Sequence, residues 1–368
     1  MNGVMKPLTS HATQPSRTHH KGMGLGRHAR RVLHLVLLLA VACPVLAGSP
    51  DSLRARAQAV FAPLPQDMAT ADHPITPELV ALGRKLFFDT RLSVDGKVGC
   101  VSCHDPAHYG TDGLPKSIGA NQAPNARNAP TVFNAALQIA QHWYGDRRDV
   151  EDQAQKSLTG KASFRNPDEP SVVEKLKALG YGPAFAAAFP GMTDPVGSKQ
   201  AGAAIGAFER TLTTPAPFDR YLQGDDQALS KQAKAGLGLF MDLGCATCHR
   251  GAGVGGEVFQ RFGLYGNYWE ATGSKPIDQG RMADTKNPAD QYVFKVPLLR
   301  NVTKTAPYFH DGSVQSLPEA VAIMAKLQLG KTLAPKETAE LVAFLSSLTG
   351  AVPQAFAPPQ EPMIRSTR

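Results

Sequence analysis

The sequence predicts a mainly α chain made of two similar units, with long loops between the helices. Two observations carry that expectation. A Leu-Phe helical stretch running into a Gly-Cys-x-x-Cys-His segment occurs twice, over residues 82–104 and 236–249. The 34 glycines and 29 prolines mark frequent turns, while a hydrophobic fraction of 42% is too high for disorder. A chain of 368 residues is about two to three domains at ~100–200 residues each.

Taken in order, Arg27, Arg30 and Arg31 precede an apolar run from Val32 to Val45, broken only by His34 and followed by Leu46, Ala47 and Gly48. A positive flank, a short apolar run and a small-residue exit mark a secretory signal peptide. It is expected over residues 1–47 and implies a periplasmic protein. The run falls short of the ~20 residues that span hydrocarbon, and no second long apolar stretch follows, so no membrane span is expected. The alternative is lipid attachment at Cys43, but Ala40 stands where such a box usually has Leu. Residues 1–47 also hold Lys6, Arg17, Lys21, Arg27, Arg30 and Arg31 and no acid, so most of the net charge of +8 belongs to the leader. The basic balance therefore makes no case for nucleic acid.

Thr76-Pro77-Glu78 supplies a hydroxyl N-cap and a first-turn proline for the first Leu-Phe helix, and Ser230 can cap the second. Between them, Thr211–Pro217 reads as a linker. The expected units are 48–215 and 216–350, with 351–368 as a C-terminal tail. Ser316 and Glu319 have capping-box spacing for a helix through Leu327. A last helix is expected from Pro335 to Leu348, with Gly350 after it.

Once the leader's Cys43 is set aside, the other cysteines form two pairs, Cys100/Cys103 and Cys245/Cys248, each followed by histidine. Cys-x-x-Cys-His is the attachment signature of c-type haem. Two thiols one helical turn apart can form thioethers to the two vinyl groups of one macrocycle, and the adjacent His104 or His249 then lies under the iron. A redox dithiol would sit in a βαβ unit, and none surrounds these pairs. Four-cysteine zinc sites place their pairs ~12–20 residues apart, far closer than Cys103 and Cys245. The expectation is thus mainly α, with two cytochrome-c-like haem domains. His73, His108, His142 and His310 are left as distal ligands or structural histidines. Met282 and Met324 are candidate iron ligands; at helical spacing with Leu317, Val321 and Leu327, Met324 also reads as a core residue. Trp143 reads as core packing or as a stepping stone between redox centres.

With these residues in view, the chain resembles the bacterial di-haem cytochrome c peroxidases, a family that includes the enzyme maturing tryptophan tryptophylquinone in methylamine dehydrogenase. The resemblance runs from about Leu79 to Gly350. It rests on Leu82–Asp89, both Cys-x-x-Cys-His segments, Thr111–Gly113, Arg127–Asn134, Trp143, Asp152–Ala154, Phe294–Val302, Thr305–Gly312 and Leu317–Leu329. It implies a low-potential peroxidatic haem on Cys100, Cys103 and His104, and a high-potential electron relay on Cys245, Cys248 and His249. Met324 falls where peroxidases place the relay's sixth ligand, whereas the maturation enzyme has tyrosine there. Trp143 matches the tryptophan between the haems, and Asn128, Thr305 and Pro307 match the surroundings of a calcium ion.

Two departures stand out. Ala120 occupies the position of the loop histidine that covers the peroxidatic iron in switchable members, so an open iron is expected; His108 is nearby but out of register. Gln153 is kept, but Ser157 replaces the family's proline, and the distal glutamate position falls near Ser163-Phe164. Asn166-Pro167-Asp168-Glu169 resembles the family's Asn-Pro-x-Glu, so Glu169 is the expected acid, delivered through a short insertion. Splitting peroxide moves a proton between its oxygens, which a carboxylate can do as base and then acid.

The leading expectation is a peroxidase that reduces hydrogen peroxide to water, with Gln153, Glu169 and Trp143 serving catalysis. Its electrons would come from a small cytochrome c or cupredoxin. The alternatives are oxidation of a partner protein's side chain through high-valent haem, or a non-catalytic di-haem electron carrier. The resemblance leaves a homodimer open.

Overall fold

The structure is a computed structural model that describes residues 50–359. The expected signal peptide, Cys43 and residues 360–368 of the expected tail lie outside the described residues. α1 spans Pro50–Gln58, α2 Pro77–Phe88, α3 Val150–Ser157, α4 Glu169–Ala178, α5 Gly182–Ala188 and α6 Ser198–Glu209. α7 (Pro217–Leu222), α8 (Lys231–Asp242), α9 (Tyr268–Thr272), α10 (Met282–Thr285), α11 (Leu317–Leu329) and α12 (Pro335–Ser346) follow. The sheet content is two short antiparallel ribbons, β1 (Ile118–Gly119) with β2 (Ala123–Pro124) and β3 (Phe259–Arg261) with β4 (Val293–Lys295). The described chain is therefore mainly α, and none of its helices is long and apolar enough to cross a membrane.

Both expected starts form as read. Thr76 Oγ1 accepts from the Leu79 amide at 3.2 Å, and Ser230 Oγ accepts from Ala233 at 3.1 Å. α11 also begins after Ser316, but that side chain makes no cap bond, so the expected box with Glu319 does not form. Pro318 in the first turn suits the start without it. α12 stops at Ser346, and Leu348 follows in a tighter turn, its amide donating to Leu345.

The two Leu-Phe helices pack alike. α2 crosses α6 at Gly83, where an added Cβ would stand 1.8 Å from the Ala204 carbonyl oxygen. α8 crosses α12 at Gly236, where it would stand 1.9 Å from that of Glu340. Each crossing admits only hydrogen at that place, which is why both copies of the motif carry glycine.

Apolar residues gather in three clusters. The first joins α2 and α6 through Leu82, Leu86, Phe87 and Phe208; the second joins α8 and α12 through Leu237, Phe240, Phe344 and Leu345. The third surrounds Tyr268, Phe294 and Leu327. The first and last stretches of the described residues cross between the first two, which departs from the expected units. Ala57 and Phe61 belong to the second cluster, with Phe61 edge-on to Phe218 at 5.4 Å. Phe356, placed by sequence in a tail, is buried in the first against Phe87 and Phe133. Apolar burial overrides chain order here.

The expected linker is equally buried. Leu212 and Thr214 are 0% exposed, and Thr214 Oγ1 accepts from Asn134 Nδ2 at 2.8 Å and from Asn301 Nδ2 at 2.9 Å. Both asparagines have left-handed backbone, φ 59 and φ 63, a conformation asparagine tolerates better than most residues. The segment is thus a pinned seam, because its backbone and hydroxyls find internal partners in place of water.

Candidate active site

α2 and α8 each run into a turn that carries a cysteine pair. Cys100 and Cys103, like Cys245 and Cys248, are free and half-buried. Burial pushes Cys103 up to about 11 and Cys245 up to about 11, and raises Cys100 as well. A reactive dithiol needs a lowered thiol pKa, so these pairs are poorly suited to redox exchange. They also belong to different clusters, Cys100 against the first and Cys245 against the second, which is incompatible with one four-cysteine zinc site.

The two imidazoles sit in similar backbone settings. His104 Nδ1 donates to the Gly110 carbonyl at 3.0 Å and also faces that of Pro130. His249 is 9% exposed, and its Nδ1 faces the carbonyls of Pro297 and Val254. Pro130 and Pro297 each stand four residues before an asparagine pinned on Thr214, Asn134 and Asn301. On His104 the bond to Gly110 fixes the tautomer and leaves Nε2 for a metal, whereas His249 Nδ1 is buried without a hydrogen-bond partner among the described residues. Desolvation lowers both imidazoles, His249 to about 4, which keeps them neutral as ligation requires.

A cavity of about 480 Å³ opens beside His249, within the range of cofactor pockets. Cys245, Cys248, His249 and Met324 all line it. Met324 therefore faces the cavity from α11 as well as packing on the third cluster. Asn128, Thr305, Pro307 and Trp143 also line this cavity. Trp143 Nε1 donates to the Asn128 carbonyl at 2.9 Å, two residues before the Pro130 carbonyl that faces His104. The tryptophan thus links the Asn128–Pro130 segment that faces His104 to the cavity beside His249.

The donor set fits haem: each segment offers two thiols and a neutral imidazole. Lys295 adds to the fit, since it is 4% exposed, its ammonium bonds the Gln138 amide oxygen, and burial alone pulls it down to about 7. Such a cation on the cavity wall suits a ligand carrying carboxylates. Sequence reasoning passed over Lys295, although a lysine inside the apolar Val293–Leu299 run is the signal that could have found it.

On the His104 side the expected residues are dispersed. Ala120 is fully buried, its amide donating to Ser163 at 2.8 Å while Asn121 donates to Asp95. His108 is exposed and turned to Asp105 at 3.1 Å, away from a capping role. Gln153 is half-buried on α3, with its amide donating to Ser157 Oγ at 2.9 Å. Glu169 is not brought to it. That carboxylate is exposed at the start of α4 and accepts from Gln155 at 3.1 Å. Two residues along a helix turn about 200°, so Gln155 leaves α3 on the side opposite Gln153. Asn166 explains the placement: its buried amide donates to Leu92 and Leu158 and accepts from Lys175, which holds the insertion as a structural loop.

Such a chain, helical and with two paired-thiol and imidazole segments around one Thr214 seam, is of a di-haem cytochrome type. The family model for di-haem cytochrome c peroxidase matches residues 77–227. The cytochrome c551 peroxidase of Pseudomonas aeruginosa is 43% identical over 328 residues, 88% of this chain and 93% of that protein. The methylamine utilization protein MauG of Methylorubrum extorquens is 38% identical over 79% of this chain and 83% of its own. Among solved structures, a MauG-like protein associated with microbial copper homeostasis superposes with a TM-score of 0.70 at 30% identity, covering 81% of this chain and 97% of that one. The chain belongs to the di-haem cytochrome c peroxidases and is an oxidoreductase of that type; the family implies two haems.

Proposed function

We propose that the protein is an exported peroxidase that reduces hydrogen peroxide to water at the His104 side, with electrons entering at the His249 side from a small periplasmic cytochrome or cupredoxin. The observation that carries this reading is an asymmetry. Met324 lines the same cavity as His249, Cys245 and Cys248, whereas Ala120 brings no ligating atom and His108 is held by Asp105.

Two haems would be held covalently, one on Cys100 and Cys103 and the other on Cys245 and Cys248. Bound haem supplies the iron at which peroxide is cleaved and the conjugated ring through which electrons pass. The chain does the rest. The Gly110 carbonyl holds the His104 imidazole with Nε2 presented, and the carbonyls of Pro297 and Val254 face Nδ1 of His249. Met324 supplies a thioether, which favours a high potential at the relay. Gln153, oriented by Ser157, would position peroxide by hydrogen bonding, and water would carry the proton from one peroxide oxygen to the other, without help from Glu169. Trp143 couples the two sides through Asn128. A calcium ion at Asn128, Thr305 and Pro307 is consistent with the cavity wall: the Asn128 amide nitrogen donates to Leu114 at 2.8 Å, which leaves its Oδ1 for a hard cation.

Optical and EPR spectra of the oxidised di-haem protein, followed by one equivalent of peroxide, test the reading. One high-spin and one low-spin ferric signal, the former consumed rapidly, is the expected result. Two low-spin signals that ignore peroxide would replace this reading with that of an electron carrier.

A further inference from the structure

The third apolar cluster holds both tryptophans of the chain, at opposite ends. Trp143 lines the cavity, while Trp269 and Tyr292 reach the partly exposed side. Between them the rings are in unbroken contact. Trp143 lies 6.4 Å from His310, His310 5.2 Å from Tyr268, and Tyr268 5.2 Å from Trp269, centre to centre. Trp269 then meets Tyr292 at 4.9 Å. His310 and Tyr268 are 2% and 0% exposed, so water does not interrupt the path. Apolar packing alone would be met as well by leucine and phenylalanine; this path is instead made of indole, imidazole and phenol.

We propose that this aromatic path is a second electron entrance, by which one-electron organic donors such as phenols are oxidised at the Trp269–Tyr292 surface. The inference rests on the peroxide chemistry proposed above. Electron transfer weakens steeply with distance, so rings in contact outcompete a jump through backbone. Trp143 is refilled by an electron that leaves Trp269 by way of Tyr268 and His310. Tyr268 is a contact and not a resting place, because its hydroxyl donates only to the Asp278 carbonyl at 2.9 Å, which cannot take the phenolic proton. Trp269 is half-buried, so its indole proton can pass to solvent. Two phenols each give one electron and one proton, and one hydrogen peroxide takes both pairs to become two waters; the phenoxyl radicals leave.

The test is peptide mapping of nitroso spin-trap adducts on the di-haem protein treated with peroxide in the absence of a donor protein. The expected adducts fall on Trp269 or Tyr292, and a water-soluble phenol suppresses them. Tyr265 is the control: at 67% exposure it is open to solvent and lies off the path, so it stays unlabelled. Tyr268→Phe preserves the contact and keeps the labelling. Tyr292 also meets Tyr268 directly, at 6.0 Å, so the double variant Trp269→Phe/Tyr292→Phe abolishes phenol oxidation and leaves peroxide consumption by the donor-fed protein intact. Labelling of Tyr265 as strong as that of Trp269 would show direct attack from solvent and overturn the inference. Peroxide consumption without label at Trp269 or Tyr292 would overturn it alone. Absence of peroxide consumption would remove it together with the proposed function.

Discussion

His104 and His249 each face a carbonyl four residues before an asparagine anchored on Thr214, yet the chain sets different residues around them. Around His249 stand a cavity, a thioether and a buried ammonium. The loop that should cover His104 carries an alanine, and the acid expected beside Gln153 is turned to solvent. The two halves therefore share the architecture that holds a ligand and differ in the loops that determine its chemistry. A duplicated fold keeps its helix crossings, because glycine at Gly83 and Gly236 leaves no room for substitution. Residues in connecting loops are free of that constraint and can specialise.

The largest effect that could break this contrast is expected at Met324. Replacing it in Met324→Ala should lower the potential of the relay haem by roughly 0.2 V, within the ~0.8 V that axial ligands span. That is about 5 kcal/mol for one electron. A redox titration of the variant checks it, and the haem on the His104 side should keep its potential. An unchanged relay potential would mean that Met324 only packs.

A second test compares the buried ion pair of each half. Arg210 holds Glu151 by Nε at 2.7 Å and by its second nitrogen at 3.0 Å, at 4% and 10% side-chain exposure. Arg300 holds Asp219 at 2.7 and 2.8 Å, at 0% and 5%. Stranding a buried charge costs about 3–5 kcal/mol. Arg210→Met should reach that range in chemical denaturation of the di-haem protein. Arg300→Met should cost less, because Asp219 keeps the amides of Leu64 and Ala216. The reverse order would show that amide donors do not substitute for the guanidinium.

The first half also contains an unpaired liability. Glu209 is 5% exposed, and desolvation, with repulsion from Glu151, raises it to about 8. The folded protein thus binds a proton that the unfolded chain releases near pH 4.5. Stability should fall as pH rises from about 4.5 to about 8 and then level off, by up to a few kcal/mol at ~1.4 kcal/mol per unit. Glu209→Gln should flatten that slope and raise the melting temperature at pH 8 more than at pH 5. An equal shift at both pH values would mean that Glu209 folds in its charged form.

The helix starts at Thr76 and Ser230, both thiol pairs, and the cavity partner Met324 were legible in sequence because each depends on local spacing or on a residue type with few other uses. The crossing of the first and last described stretches was not, since Phe61 and Phe356 are single aromatics whose burial depends on distant partners. The Thr214 seam was read as a linker because prolines and threonines mark loops, and only Asn134 and Asn301, far away in sequence, make it buried. The acid was misplaced for a related reason. An Asn-Pro-x-Glu string can be matched by eye, but Asn166 is committed to Leu92, Leu158 and Lys175.

That misplacement defines the smallest expected effect, which sharpens the contrast most. Glu169→Gln alters only an exposed bond to Gln155, and surface changes of this kind usually stay within about 0.5 kcal/mol. Peroxide turnover should therefore remain within about twofold of the parent. Gln153→Leu, on the other side of the same helix, should slow turnover while leaving both imidazole-bound spectra intact. Comparing the two variants under identical donor concentrations separates positioning by an amide from proton transfer by a carboxylate. A collapse of turnover in Glu169→Gln would require α4 to move its first residue inward when haem is bound, and the His104 side would then have the acid that the resemblance implies.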